Sequence, residues 1–246
     1  MENEASLTLM EVIKPIPRGV GLMASGTDSE EIERLVVQDH RRKLLDRISE
    51  FSDTGVPVDV RVCCGDPATE ITREVIRGGH DLVLKSADHF TKTDRFFGSV
   101  ARSLLRICPA AVLLLKSVTH GDFDQVVAAI DIDATDEAHK ALNRSIVELS
   151  LNIAIEDDAK LHLVSAWDHP MEAPFRQRVG DAEVDSVIEK HEDTIRKEIL
   201  RLIGAKDLSD ELVKTHVRRG SASNAIAAVV EEVQADLLVM GTVCRT

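Results

Sequence analysis

Residues Val60–Lys85, VRVCCGDPATEITREVIRGGHDLVLK, decide the fold because the chain contains a second version of them. Moving 155 positions along the chain, from Val62 to Val217, gives VRRGSASNAIAAVVEEVQADLLVMG without an insertion. The identical pairs are Val62/Val217, Gly65/Gly220, Ile71/Ile226, Val75/Val230, Asp81/Asp236 and Leu82/Leu237. Each version predicts a strand, a glycine turn, a short amphipathic helix and a buried apolar strand, which together make a βαβ unit.

A second match lies upstream of the first and points to duplication of a whole domain. Residues 5–9, ASLTL, align with residues 159–163, AKLHL, at an offset of 154. Two distant segments that share nearly one offset indicate an internal repeat. The polar link Thr119–Asp122 then separates two domains, residues 1–119 and residues 120–246.

Strand and helix patterns alternate along both halves, which predicts α/β domains with an open parallel sheet and helices on both faces. The repeat indicates that the first domain lacks the opening strand and helix that residues 123–155 supply to the second. The second domain lacks the closing helix and strand that residues 95–116 supply to the first. Two full copies would need about 310 residues, so we expect the sequence to be part of a longer chain. Residues 168–180 contain Pro170 and Pro174 and are predicted to form a loop.

Composition limits the possible functions. The net charge of −13 argues against nucleic acid or an anionic membrane as the main partner, since both require a basic surface. No run approaches the roughly 18 apolar residues of a membrane helix, and the N-terminus is not a signal peptide, so we expect a cytoplasmic protein. The four cysteines are interpreted as reduced thiols, and a redox role for the adjacent pair Cys63–Cys64 is the alternative.

The two βαβ segments, with Val126–Asp131 opening the second domain, resemble the tandem type of the universal stress protein family. The resemblance covers essentially the whole chain. It implies an adenine nucleotide alpha hydrolase-like, Rossmann-like fold with a five-stranded parallel sheet in each complete domain. It also implies pairing of domains through strand edges, within the chain or in a homodimer. If the opening strand of the first domain is absent, that sheet loses its middle strand.

Many members of the family bind ATP through a motif of Gly, two residues, Gly, nine residues and Gly-Ser or Gly-Thr. In the first domain Lys85 and Asp88 occupy the first two glycine positions, followed by Gly98 and Ser99. Asp88 would place a negative charge where phosphate binds. In the second domain Gly241 matches the first glycine and Cys244 the second. The resemblance therefore implies degenerate ATP sites and no other cofactor.

The resemblance also places Asp131 at the strand end that lies near adenine in family members. The alternative for Asp131 is a structural hydrogen bond. The candidate cofactor-binding residues are thus Asp131, Gly241, Thr242, Gly98 and Ser99, and the alternative for the last two is a helix N-terminus capped by the serine.

Other side chains provide no catalytic or metal-binding pattern. The acidic cluster Asp133, Asp136 and Glu137 could hold a cation, but a helix N-cap with an acidic first turn accounts for it. His162 alternates with apolar residues and is expected to face solvent or a domain contact. No metal site is expected.

Three functional hypotheses follow. The first is a non-catalytic stress-response protein with degenerate nucleotide sites that binds a small molecule, a lipid-like ligand or a protein partner. The second is an ATP-binding, weakly hydrolysing switch that uses Asp131 and the Gly241 loop. The third is a structural dimerisation protein whose first domain supports the second.

Overall fold

The computed structural model describes residues 5–15, 29–49, 55–86, 98–115, 121–133, 136–169, 171–204 and 212–242. The chain divides into two compact units, Met1–Thr119 (unit 1) and His120–Thr246 (unit 2). Every strand pair in the described residues is parallel, which confirms the predicted α/β class.

Unit 1 contains two separate pairs of strands in its described residues. Its elements are β1 (Leu7–Ile13), α1 (Ser29–Ser49), β2 (Val58–Cys64), α2 (Pro67–Gly78), β3 (Leu82–Ser86), α3 (Ser99–Ile107) and β4 (Ala111–Leu115). Strand β1 pairs with β2, and β3 pairs with β4. Four strands of the five-stranded sheet expected for a complete domain are therefore present in the described residues, and they form two separate two-stranded sheets.

Helix α2 holds the two strand pairs of unit 1 together. It begins after Asp66, whose carboxylate accepts a hydrogen bond of 3.0 Å from the Thr69 N–H, and it ends at Gly79 with φ 66°. Its buried Val75 packs in a core with Leu104 of α3, and Val83 of β3 lies against that core. The same helix contacts β1.

Unit 2 has one continuous sheet of four described strands. Its elements are β5 (Gln125–Ala129), α4 (Glu137–Glu156), β6 (Lys160–Trp167), α5 (Glu172–Val179), α6 (Asp181–Ile203), β7 (Val213–Arg219), α7 (Ala222–Val233) and β8 (Leu237–Met240). The strand order is β7-β6-β5-β8, so β5 is paired on both sides. Val229 of α7 packs on Val127 and Val164, while α4 contacts β5, β6 and β8.

The backbone hydrogen bonds repeat in both units at the offsets read from the sequence. The Leu7 N–H donates to Pro57 O at 2.9 Å, and the Leu161 N–H donates to Leu212 O at 2.8 Å. The Gly65 N–H donates to Ile13 O at 2.9 Å, as the Gly220 N–H does to Trp167 O at 2.9 Å. The run from β1 to β3 is thus the structural counterpart of the run from β6 to β8.

Helix α5 lies where a loop was predicted at residues 168–180, so that prediction is wrong. Pro174 occupies the first turn of α5, where the backbone N–H has no helical partner in any case. Arg176 stabilises the helix through ion pairs to Glu172, Asp181 and Asp185. The Asp181 and Asp185 contacts join α5 to the start of α6.

None of the described helices combines the length and the apolar composition that a membrane span requires.

Candidate functional site

Polar and aromatic side chains gather at the carboxyl edge of the unit 2 sheet. Asp131 follows β5, Trp167 ends β6, Arg219 ends β7 and Gly241 follows β8. Because all four strands are parallel, their carboxyl ends lie along the same edge, which is where open α/β sheets bind ligands. We take this edge as the candidate site.

Asp131 is exposed at this edge, and the side chain of Asn143 of α4 forms hydrogen bonds with its backbone. The Asp131 N–H donates to Asn143 Oδ1 at 3.1 Å, and Asn143 Nδ2 donates to Asp131 O at 2.6 Å. Asn143 is only 6% exposed. The buried amide replaces the hydrogen bonds that β5 loses where its pairing ends, and the Asp131 side chain takes no part in this contact. Sequence reasoning missed Asn143, although a lone amide on the apolar stripe of a helix was a usable signal.

Trp167 is the aromatic element of the site and was not identified from the sequence. It is 4% exposed, and its indole Nε1 has no hydrogen-bond partner in the described residues. The His191 ring of α6 lies edge-on at 4.8 Å between centroids. The guanidinium carbon of Arg219 lies 5.7 Å from the indole centroid, within the range of a cation–π interaction. A buried N–H without an acceptor is unusual, because leaving it unpaired costs about 1–3 kcal/mol.

Charges around Trp167 are arranged in pairs. Arg219 forms an ion pair with Glu172 of α5, which is mostly buried. His191 Nε2 lies 3.4 Å from Asp133 Oδ1, just beyond the end of β5. The carboxylate of Asp131 has no such partner among the described residues, so it is the negative group at this edge that a ligand can use.

Gly241 packs closely against α4 at this edge. A Cβ at this position would lie 2.6 Å from Leu142 Cδ2 of α4, so glycine lets the helix approach the end of β8. Thr242 is exposed beside it, and Cys244 lies outside the described residues. Close packing is thus one explanation of Gly241, and its role in holding a phosphate stays a prediction.

In unit 1 the other predicted pair lies at the start of α3. Gly98 is the N-cap residue and Ser99 is the first helical residue, so the expectation that the serine caps the helix is wrong. Counting 155 positions back from Gly241 gives Ser86, one residue after Lys85, which the motif spacing to Gly98 assigns to the first glycine position. Lys85 Nζ donates to Ser86 O at 3.0 Å, and Asp88 lies outside the described residues.

His162 lies inside unit 2, which corrects the expectation that it faces solvent or a domain contact. It is 3% exposed; its Nδ1 lies 3.0 Å from His216 Nε2, and its Nε2 lies 2.9 Å from Gln125 Oε1. Burial, followed by the neighbouring His216, lowers the pKa of His162 to about 4. Burial, followed by Arg218, also lowers the pKa of His216. Both rings are therefore neutral at physiological pH.

The remaining candidates have structural explanations. Asp136 caps α4 by accepting a 3.0 Å hydrogen bond from the His139 N–H, as predicted for the acidic cluster. No group of three potential metal ligands occurs among the described residues. Cys63 and Cys64 are free thiols, and burial raises the pKa of Cys64 to about 11 and also raises that of Cys63. Such thiols are poor nucleophiles at neutral pH, which disfavours the redox alternative.

An open parallel sheet with polar groups at its carboxyl edge is typical of α/β proteins that bind ligands at that edge. Residues 1–116 and 122–246 each match the model of the Universal stress protein family. The chain belongs to this family, in its tandem form. Membership supports a role in the response to stress.

Related sequences and structures agree with this assignment. The chain is 32% identical over 202 residues to Universal stress protein E of Salmonella typhi, a match that covers 80% of this chain and 62% of that protein. It is 24% identical over 252 residues to the Universal stress protein E homolog of Haemophilus influenzae, covering 100% of this chain and 79% of that protein. The chain thus spans about three fifths of the length of the first of these relatives.

Solved structures show the same fold at lower identity. A functionally unknown protein from Pseudomonas aeruginosa superposes with a TM-score of 0.68 at 22% identity, covering 99% of this chain and 84% of that chain. A universal stress protein from Archaeoglobus fulgidus superposes with a TM-score of 0.61 at 19% identity, covering 96% and 75% respectively.

Proposed function

We propose that this protein acts in stress response as a non-catalytic binding protein, and that unit 2 binds a small molecule at the carboxyl edge of its sheet. The buried, unpaired indole N–H of Trp167 carries the proposal, because a ligand that accepts its hydrogen bond would remove the cost of leaving it unsatisfied. The exposed carboxylate of Asp131 at the neighbouring strand end supplies an acceptor for a donor on the same molecule. A small planar molecule with one acceptor and one donor fits this pair of groups.

Catalysis has less support than binding. A general base or nucleophile needs a partner that activates it, and Asp131 has none among the described residues. The charged groups near Trp167 are occupied in ion pairs with each other. The site therefore offers recognition by hydrogen bonds.

Intrinsic fluorescence tests the proposal directly, because Trp167 is the one tryptophan in the chain. A library of small planar amides and heterocycles is screened for saturable changes in Trp167 emission. We expect a bound compound to lose affinity by about tenfold with Asp131→Asn, which weakens one charge-assisted hydrogen bond. The matched control is Asp122→Asn, which removes an exposed carboxylate at the opposite end of β5. Equal effects of the two substitutions would overturn the assignment of Asp131.

ATP binding by unit 2 is the second candidate function, favoured by Asp131 and Gly241 lying at one sheet edge. It is tested by isothermal titration of the full chain with Mg·ATP. We expect no saturable heat at millimolar ATP, because Cys244 replaces the second glycine of the phosphate-binding motif. Micromolar binding that Asp131→Asn abolishes would replace the non-catalytic proposal by the nucleotide switch.

A further inference from the structure

Trp167 is enclosed within unit 2, although its indole N–H is the group that carries the proposed binding. The residue is only 4% exposed. A ligand therefore reaches Nε1 only after a neighbouring element has moved. His191 of α6 and Arg219 of β7 contact the indole ring, and Glu172 of α5 forms an ion pair with Arg219. The element that moves most easily among these determines how a ligand enters.

Core packing fixes the sheet and α6. Strand β6, which ends in Trp167, pairs with β5 on one side and β7 on the other. Helix α6 is 23 residues long and buries Val184, Ile195 and Ile199. Displacement of β6, β7 or α6 would break strand pairing or expose apolar side chains, so none of them is a suitable gate.

Helix α5 lacks this kind of anchorage. It is eight residues long and none of its residues is buried, and Phe175 near its centre is 50% exposed. Ion pairs attach it to its surroundings: Glu172 binds Arg219 of β7, and Arg176 binds Asp181 and Asp185 of α6. Ion pairs that are open to solvent contribute little to stability. Helix α5 therefore leaves its position at a lower cost than the other elements around Trp167.

A single glycine joins α5 to α6. Gly180 ends α5 and precedes α6, with φ 92° and ψ 161°. Glycine adopts positive φ values without the steric penalty of other residues. A Cβ at this position would meet no atom within 4 Å in the described part of the chain, so close packing does not hold the linker in place. Residues at the ends of elements commonly act as hinges, and Gly180 is placed to let α5 rotate while α6 stays fixed.

Two nitrogens without hydrogen-bond partners lie in the segment that leads from β6 to α5. They are Trp167 Nε1 and His169 Nδ1, both enclosed and without a partner in the described part of the chain. The His169 ring lies edge-on to Phe175 of α5, with 5.7 Å between the centroids. Movement of α5 takes Phe175 away from His169 and admits water to this segment. Because a buried polar atom without a partner is costly, its hydration offsets part of the cost of moving α5.

We propose that α5 is a lid over Trp167, which turns about Gly180 and is held closed by the ion pair between Glu172 and Arg219. Opening separates Glu172 from Arg219 and gives a ligand access to the indole N–H, and closing encloses the bound molecule. The lid rests on the proposed function for its purpose, since it serves the binding site at Trp167. Its movement is a property of the free protein and is measured without a ligand.

Acrylamide quenching of tryptophan fluorescence in the full chain measures the opening, because Trp167 is the one tryptophan. We expect Glu172→Gln to raise the quenching constant about threefold, since the loss of a partly exposed ion pair changes an equilibrium by no more than about fivefold. The matched control is Glu183→Gln, which removes an exposed carboxylate from the first turn of α6 and is expected to leave quenching unchanged.

Hydrogen exchange distinguishes opening of the lid from a general loosening of unit 2. In the Glu172→Gln variant we expect faster exchange in α5, with exchange in α6 and β6 unchanged. Unchanged quenching with Glu172→Gln, an equal increase with Glu183→Gln, or faster exchange throughout unit 2 would each overturn the lid.

The lid and the binding proposal fail in different ways. If no compound in the fluorescence screen binds, the proposed function fails, while quenching and exchange still decide whether α5 opens. If a compound binds, we expect Glu172→Gln to raise its association rate by about the same factor as the quenching constant, because more molecules are in the open state. A compound that binds at the same rate to the parent protein and to this variant would overturn the lid and leave the binding site in place.

Discussion

Unit 1 and unit 2 contain nearly the same βαβ segment but present it in different sheets. In unit 2 the segment borders a central strand and Leu237 is 9% exposed; in unit 1 the identical Leu82 is 48% exposed. The local structure is the same, since the turn after each first strand makes the same backbone hydrogen bond at 2.9 Å. The comparison teaches that the burial of a strand depends on its neighbours in the sheet, which lie far away along the chain.

The largest expected effect comes from truncating matched leucines in the two units. Leu161→Ala removes a fully buried side chain of β6 and is expected to reduce the free energy of unfolding of unit 2 by about 2–5 kcal/mol. Leu7→Ala at the equivalent position of unit 1 removes a side chain that is 45% exposed and is expected to cost less than about 1 kcal/mol. Urea unfolding followed by hydrogen exchange with mass spectrometry measures the free energy of unfolding of each unit separately. Equal losses in the two variants would contradict the difference in burial between the two leucines.

Removing the matched carboxylates gives the next largest difference. Asp236→Ala loses two hydrogen bonds to the start of β5 and is expected to destabilise unit 2 by about 1.5–3 kcal/mol. Asp81→Ala is expected to change the stability of unit 1 by less than about 0.5 kcal/mol, because its carboxylate has no partner among the described residues. Urea midpoints of the two variants are the measurement, and a large loss with Asp81→Ala would show that this carboxylate is already engaged.

Substitution by alanine should have different effects on stability at Gly241 and Gly98, the two glycines among the candidate cofactor-binding residues. Gly241→Ala is expected to cost about 1–3 kcal/mol, because the added methyl group overlaps Leu142. Gly98→Ala adds a methyl group that meets no atom within 4 Å in the described part of the chain, at φ −52°, and is expected to stay within about 0.5 kcal/mol of the parent protein. Thermal unfolding measures both changes. A tolerated Gly241→Ala would remove the packing explanation and favour a ligand-binding role for this glycine.

The buried histidines of unit 2 have the smallest expected effect on stability at neutral pH, but they make the stability of unit 2 depend on pH in acid. The pKa of His162 falls from 6.5 to about 4 in the folded protein, and that of His216 is also lowered. Between these pKa values the unfolded chain binds more protons than the folded chain. The histidines therefore cost no free energy of unfolding above about pH 6.5, and this free energy declines as the pH falls towards about 4. Lys214 and Arg218 add to this by repelling the protonated rings, while Glu232 opposes it.

Unit 1 is the internal control for this pH dependence, because Thr8 and Arg61 occupy the equivalent positions. We expect acid unfolding of unit 2 to shift towards lower pH in a His162→Gln, His216→Gln double variant, relative to unit 1. Histidine resonances that titrate near pH 6.5 in the folded protein would contradict the lowered pKa values.

Much of the local structure could be predicted because its causes lie close together in the sequence. The Asp66 cap, the apolar positions of α2 and the Gly79 terminus specify that helix within fifteen residues. The Asp136 cap of α4 was predictable for the same reason. The candidate site was predicted only in part: Asp131 lies at the expected strand end, and its role as a ligand group stays a prediction.

Other features of the site could not be predicted, because they depend on contacts between distant elements. The T-shaped packing of Trp167 with His191 joins β6 to α6, and nothing in either local pattern indicates it. The burial of His162 requires that β5 and β7 pair on both sides of β6. A strand that alternates polar and apolar residues normally has one solvated face, so the sequence favoured exposure.

The amino-acid sequence by itself determined the duplication, the alternation of strands and helices, and the family to which the chain belongs. These depend on short-range periodicity and on residues that recur at one offset. Only the tertiary structure decided which member of each repeated pair is buried, because strand pairing brings together segments more than one hundred residues apart, such as β5 and β8. Asp81 and Asp236 are identical at the offset of 155, but it is the pairing of β5 with β8 that gives Asp236 the two backbone N–H groups that it binds.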